Sequence, residues 1–165
     1  MLDISGHFRE VDYQYVIGEK EIIIIGHAKK DYIQNYLSQH DNDFYEPLSS
    51  RVDIELYSQK LSELSMTFML FLNDDMAGLI CSYFYDVESQ KGFITLVHTK
   101  REYRGRHLSV KLLEAVKDYA AGHGFKSIGL FVSRQQASAF NLYLHHGFEV
   151  LSEDKNGRCQ MQCIL

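Results

Sequence analysis

The segment GFITLVHTKREYRGRHLSVKLLEAV, residues 92–116, passes from an apolar, strand-like run through a basic turn into an amphipathic helix. Five of the twelve residues in 100–111 are Lys or Arg (Lys100, Arg101, Arg104, Arg106, Lys111) against one acid, Glu102, in a chain of formal net charge −5. A helix N-terminus presents unpaired backbone N–H groups and the positive end of its dipole, so a turn reading Arg-Gly-Arg-His-Leu-Ser at a helix start suits a phosphate. Gly105 lets the backbone come close to such a ligand, and Arg104 and Arg106 add charge. The plainer reading of the same turn is a solvated basic helix start.

The rest of the composition narrows the choices. With 165 residues, 45% of them hydrophobic and 24% charged, the chain reads as one globular domain over residues 1–165. No apolar run approaches the roughly 20 residues of a membrane span, and residues 1–12 carry acids and no apolar stretch of the secretory kind. A cytoplasmic protein with no membrane partner is expected. The three cysteines, Cys81, Cys159 and Cys163, cannot make a paired framework and read as reduced core thiols. None of the eight histidines falls in an H-x-x-x-H or H-E-x-x-H spacing, so no metal is expected. A pI near 5.9 argues against a nucleic-acid partner.

Working outward, residues 11–26 read as two β runs, VDYQYVI and EIIIIG, around Gly18-Glu19-Lys20. Tyr32, Ile33, Tyr36 and Leu37 recur at helical spacing and predict a first helix. Ser50 or Asp53 can cap a second, whose buried stripe is Ile54, Tyr57, Leu61 and Leu64. Residues 66–72 and 76–85 form a hairpin across Asn73-Asp74-Asp75, and residues 93–99 add a third strand that feeds the basic turn. A helix over 109–122, a strand over 127–132, a short helix over 135–146 and a hairpin turning at Asn156-Gly157 complete the chain. The order β-α-α-β-β-β-α-β-α-β-β implies an α/β (α+β) fold with a single mixed, largely antiparallel sheet flanked by helices.

Residues 95–113 resemble the coenzyme A signature of the GNAT acyltransferase superfamily. Glu102-Tyr103-Arg104-Gly105 and Leu112-Leu113 carry the likeness, and downstream Ala139, Leu142, Tyr143, Gly147 and Phe148 match the family's second landmark. His107 and Ser109 stand where the family pattern has glycines, Arg101 where it often has proline, and Gln136 where it often has asparagine. The resemblance implies acetyl-CoA as cosubstrate, held by Val97, His98, Thr99, Arg104, Gly105, Arg106, His107, Leu108, Ser109, Gln136 and Tyr143. It also implies a strand bulge between Leu96 and Thr99 whose N–H receives the oxyanion, and Tyr143 as the acid that protonates the leaving thiolate.

For the base that receives the amine's proton, His98 is a candidate because imidazole titrates near neutrality, with Glu55, Tyr83 and water as substitutes. The family's acceptor site maps to the two early helices, the 39–51 loop and the terminal hairpin. Their acids and aromatics suit a cationic amine on a small molecule, amino sugar or peptide. The sequence therefore reads as an N-acetyltransferase. A non-catalytic acyl-CoA-sensing module with an altered phosphate turn is the alternative, and a nucleotide or RNA phosphate binder, lacking a second basic stripe, is a third reading. The apolar alternation of residues 159–165 permits a homodimer through the terminal strands.

Overall fold

The computed structural model describes residues 2–165. Its strands are β1 (Phe8–Gly18), β2 (Glu21–Ala28), β3 (Ser65–Leu72), β4 (Asp75–Asp86), β5 (Lys91–Thr99), β6 (Ser127–Ser133), β7 (Phe148–Glu153) and β8 (Arg158–Ile164). Its helices are α1 (Lys30–Gln39), α2 (Ile54–Leu64), α3 (Leu108–Gly122) and α4 (Ala137–His145), with single 3-10 turns at Asp41–Asp43, Leu48–Ser50 and Arg101–Tyr103. The expected order counted the N-terminal hairpin as one strand; both of its arms join the sheet, and they pair antiparallel.

All eight strands form one sheet in the order β1-β2-β3-β4-β5-β6-β8-β7. Among the described residues the β5–β6 pair alone is parallel, because α3 carries the chain back across the sheet between them. Local chemistry sets several boundaries. Asn73 and Asp74 both take positive φ, which a two-residue hairpin between β3 and β4 requires and which Asn and Asp tolerate. The Asp53 carboxylate accepts from the Leu56 N–H and caps α2.

Each face of the sheet carries its own apolar layer. Ile23, Ile25, Phe68, Leu70, Ile80, Ile94 and Ile128 pack under α3 and α4. Ile24, Met69, Phe71, Leu79 and Leu96 pack under α1 and α2. Coverage on both faces explains why β2 is a continuous isoleucine run and not an alternating one. Cys81, Cys159 and Cys163 are all buried free thiols.

One part of the predicted core is wrong. Leu64 is 49% exposed, while Ser58 and Ser62 are buried on α2. The helix packs through Leu61 flanked by these small residues, and the Ser62 hydroxyl donates to the Ala28 carbonyl at 2.7 Å. This close approach turns Leu64 outward.

Candidate active site

The sheet opens at its centre. Ladder pairing between β5 and β6 runs only from Lys91↔Ser127 to Ile94↔Leu130, after which the strands diverge. The gap forms a cleft of about 530 Å³ lined by Thr95, Leu96 and Val97 of β5, Leu130 to Ser133 of β6, and Gln136, Ala139 and Tyr143 at α4. Phe44, Tyr45, Glu46 and Arg51 close it from the loop before α2, and Asp154, Asn156 and Arg158 from the terminal hairpin. Tyr45 reaches across to donate to Gln135 Oε1 at 3.0 Å.

The bulge does not fall between Leu96 and Thr99. In the β4–β5 ladder Ser82 faces Ile94 and Cys81 faces Leu96, which leaves Thr95 as the extra residue, while Val97, His98 and Thr99 keep regular partners. Its position follows from a partner on α2. The Tyr57 phenol donates to the Thr95 carbonyl at 3.0 Å and lies 2.8 Å from Thr95 Oγ1, replacing the ladder contact that the bulge gives up.

The basic turn is less free than its charge suggests. Lys100 pairs with Asp75 at 3.2 Å, Arg101 with Asp43 at 2.8 Å, and Lys111 with Glu21. Arg104 Nε donates to the Thr99 carbonyl at 3.1 Å, and Arg106 lies 5.5 Å over the Tyr103 ring. Arg104 and Arg106, without an acidic partner among the described residues, remain as the cationic part of the turn. Behind them α3 begins with no side-chain cap and no acid in its first turn. The amides of Leu108, Ser109 and Val110 precede its first intrahelical bond, Lys111 N–H to His107 carbonyl. Gly105 has φ of 80° and His107 φ of 60°, the left-handed conformation that glycine adopts most easily. The backbone thus keeps the shape a glycine at 107 would give, and the exposed His107 ring leaves the turn open. Leu108 is a core residue, so it can offer a ligand only its backbone.

The remaining predicted residues divide. Tyr143 is 6% exposed, and its phenol, pushed up to about 12 by burial, keeps its proton across the neutral range. Gln136 sits at the N-terminus of α4 with its side chain uncommitted to a cap. Val97 lines the cleft, whereas Thr99 has its carbonyl taken by Arg104. His98 is not brought to the cleft: strand alternation points it into the α1–α2 layer, where Nδ1 lies 2.6 Å from the Tyr36 phenol. Burial, reinforced by the charge of His40, lowers its pKa to about 4. Glu55 pairs with Lys30 on the surface, and Tyr83 lines a separate hollow at the far end of β4 and β5.

The acids expected to attract a cationic acceptor are mostly committed elsewhere. Asp41 accepts from Ser49, Asp43 pairs with Arg101, and Asp53 caps α2. Glu46 and Asp154 do line the cleft, but Arg51 and Arg158 line it too, so it has no net acidic character. The two arginines were not singled out in the sequence, because they lie more than a hundred residues apart and meet only across the cleft.

A largely antiparallel sheet that splays at its one parallel pair, with a strand leading into an uncapped helix start, is the architecture of acyl-CoA-dependent N-acyltransferases. A sequence model described as the Acetyltransferase (GNAT) family matches residues 33–148, and the chain belongs to that family. Among solved structures, the fold is similar to the ribosomal-protein-S18-alanine N-acetyltransferase from Escherichia coli (TM-score 0.68, 17% identity, covering 86% of this chain and 93% of that one). It is similar to the PaiA N-acetyltransferase from Thermoplasma acidophilum in complex with coenzyme A (0.66, 16%, 87% and 99%). A GNAT family acetyltransferase from Elizabethkingia anophelis with acetyl-CoA bound also matches (0.59, 16%, 67% and 82%). At these identities the likeness concerns the fold. Comparison with curated proteins gave no match.

Proposed function

We propose that the protein is an N-acetyltransferase that moves the acetyl group of acetyl-CoA to a primary amine of a small molecule or peptide. The observation that carries this reading is the placement of Tyr143, a buried phenol held in its protonated form, in a cleft whose other wall is the unpaired edge of β5. That edge offers backbone groups to the amides of a pantetheine arm. β5 then leads directly into the turn where the amides of Leu108 to Val110, with Arg104 and Arg106, suit a pyrophosphate.

The chemistry follows from these positions. The amine nitrogen attacks the thioester carbon, and the developing oxyanion is received by a backbone amide at the bulge, within residues 95–97. As the C–S bond breaks, Tyr143 gives its proton to the thiolate and is reprotonated from solvent. The proton lost by the amine leaves through water in the cleft. His98 takes no part in this scheme, since it is packed in the other layer. With Glu46 and Asp154 balanced by Arg51 and Arg158, the cleft favours an amine that carries an acidic group of its own over a polyamine.

Calorimetry with acetyl-CoA, followed by a free-thiol release screen over amine pools, tests the reading. Binding and amine-dependent thiol release are expected. Binding without release over a broad amine set would point instead to an acyl-CoA sensor, and absence of binding would overturn both. Preference for polyamines over amino-acid-like acceptors would remove the acceptor assignment alone.

A further inference from the structure

A cluster of metal-ligating side chains lies on the opposite side of the sheet from α3, outside the scheme above. His40 caps the C-terminus of α1, Asp43 closes the following 3-10 turn, and His98 projects from β5. His40 Nδ1 is 3.1 Å from Asp43 Oδ2, and His98 Nε2 is 3.4 Å from the same oxygen. One donor atom from each residue lies within 4.8 Å of the others. In a tetrahedral site with metal–ligand bonds of about 2.0–2.1 Å, donor atoms sit about 3.3 Å apart, so two of the three spacings already match.

Two further features point to a ligand at this place. His98 Nε2 has no hydrogen-bond partner among the described residues, although its side chain is only 2% exposed. This buried nitrogen faces the Asp43 carboxylate at 3.4 Å without a well-formed hydrogen bond, a gap that a bound ion would fill. The outer contacts are also those of a metal site. The Tyr36 phenol lies 2.6 Å from His98 Nδ1 and fixes the ring with Nε2 turned toward Asp43. Arg101 Nε holds Asp43 Oδ1 at 2.8 Å, which leaves Oδ2 to face the histidines. His40 and Asp43 are 20% and 15% exposed, enough to admit an ion and a water as fourth ligand.

We infer that His40, Asp43 and His98 form a binding site for a divalent transition-metal ion, best suited to Zn²⁺. Two imidazoles and one carboxylate match the preference of zinc, whereas Mg²⁺ and Ca²⁺ seek oxygen ligands. The ion ties the end of α1 to β5. Phe44, next to Asp43, lies 5.1 Å from the His98 ring and also lines the cleft. Metal occupancy therefore steadies the wall formed by Phe44, Tyr45 and Glu46. The spacing rules for zinc motifs missed this site because its ligands come from three separate elements.

The site is tested without coenzyme A. Chelator-stripped protein is titrated with Co²⁺, followed by its visible absorption, and then with Zn²⁺ in competition. One equivalent of four-coordinate Co²⁺, displaced by Zn²⁺ and accompanied by a rise in thermal midpoint, is expected. His40→Gln, at a partly exposed position, weakens Zn²⁺ at least about 10-fold, as does Asp43→Asn; Tyr36→Phe, which touches only the outer contact, weakens it about 10-fold. His98→Gln is added if circular dichroism shows that it folds. Absence of stoichiometric binding by the wild type, or binding by His40→Gln equal to wild type, overturns the assignment.

Discussion

The Tyr57 phenol on α2 donates to the Thr95 carbonyl at the residue where β5 bulges out of its ladder with β4. A helix on one layer thereby sets the shape of the strand that walls the cleft. Tyr57→Phe keeps the ring and removes the donor. It is expected to cost about 1 kcal/mol of stability in urea unfolding, the net worth of one such bond. Turnover should fall more than acetyl-CoA affinity, because in the proposed mechanism the altered backbone is the part that meets the oxyanion. A variant with wild-type kcat and unchanged stability would show that the bulge holds itself.

Tyr143→Phe separates proton donation from binding. Loss of about 10²- to 10⁴-fold in kcat with acetyl-CoA affinity retained is the expected outcome. Since burial pushes this phenol up to about 12, it stays protonated through the working range. The pH–rate profile of the wild type should therefore show no alkaline limb from Tyr143 below about pH 11. A limb near pH 9 that disappears in Tyr143→Phe would contradict the assigned environment.

His107 holds a left-handed backbone conformation with its ring exposed. Non-glycine residues there cost on the order of 1 kcal/mol or more, so His107→Gly should raise stability by about 1 kcal/mol. Calorimetry should show coenzyme A affinity equal to or above wild type, because the turn keeps its shape. Marked weakening would instead mean that the imidazole contacts phosphate.

All three cysteines are buried, and burial pushes the Cys81 thiol up to about 11. Under native conditions at pH 8 a thiol reagent should label the protein slowly, and three thiols per chain should appear on adding denaturant. Fast labelling of Cys81 in the folded protein would be incompatible with its buried place on β4.

Much of this molecule was legible because its signals are local. Strand, basic turn and helix follow one another within residues 92–116, and each is written in spacing and residue type. The Asn73-Asp74 hairpin, the Asp53 cap and the helix over Tyr32 to Leu37 were readable for the same reason. Leu64 misled because helical periodicity gives a stripe and not its depth. The small Ser58 and Ser62 let α2 settle closer to the sheet, and that contact turned Leu64 outward.

By itself the sequence determined the succession of elements and the residue types at the α3 turn and at Tyr143, since propensity, capping and periodicity act between near neighbours. The tertiary structure alone decided where β5 bulges, which acids the basic turn would neutralise, and which layer His98 would enter. Each of those depends on a partner far along the chain: Tyr57 for Thr95, Asp43 for Arg101, Tyr36 for His98. Pairings of that kind are set by the packing of helices onto a finished sheet. For that reason the turn at residues 104–109 was readable before the fold was known, while the cluster of His40, Asp43 and His98 was not.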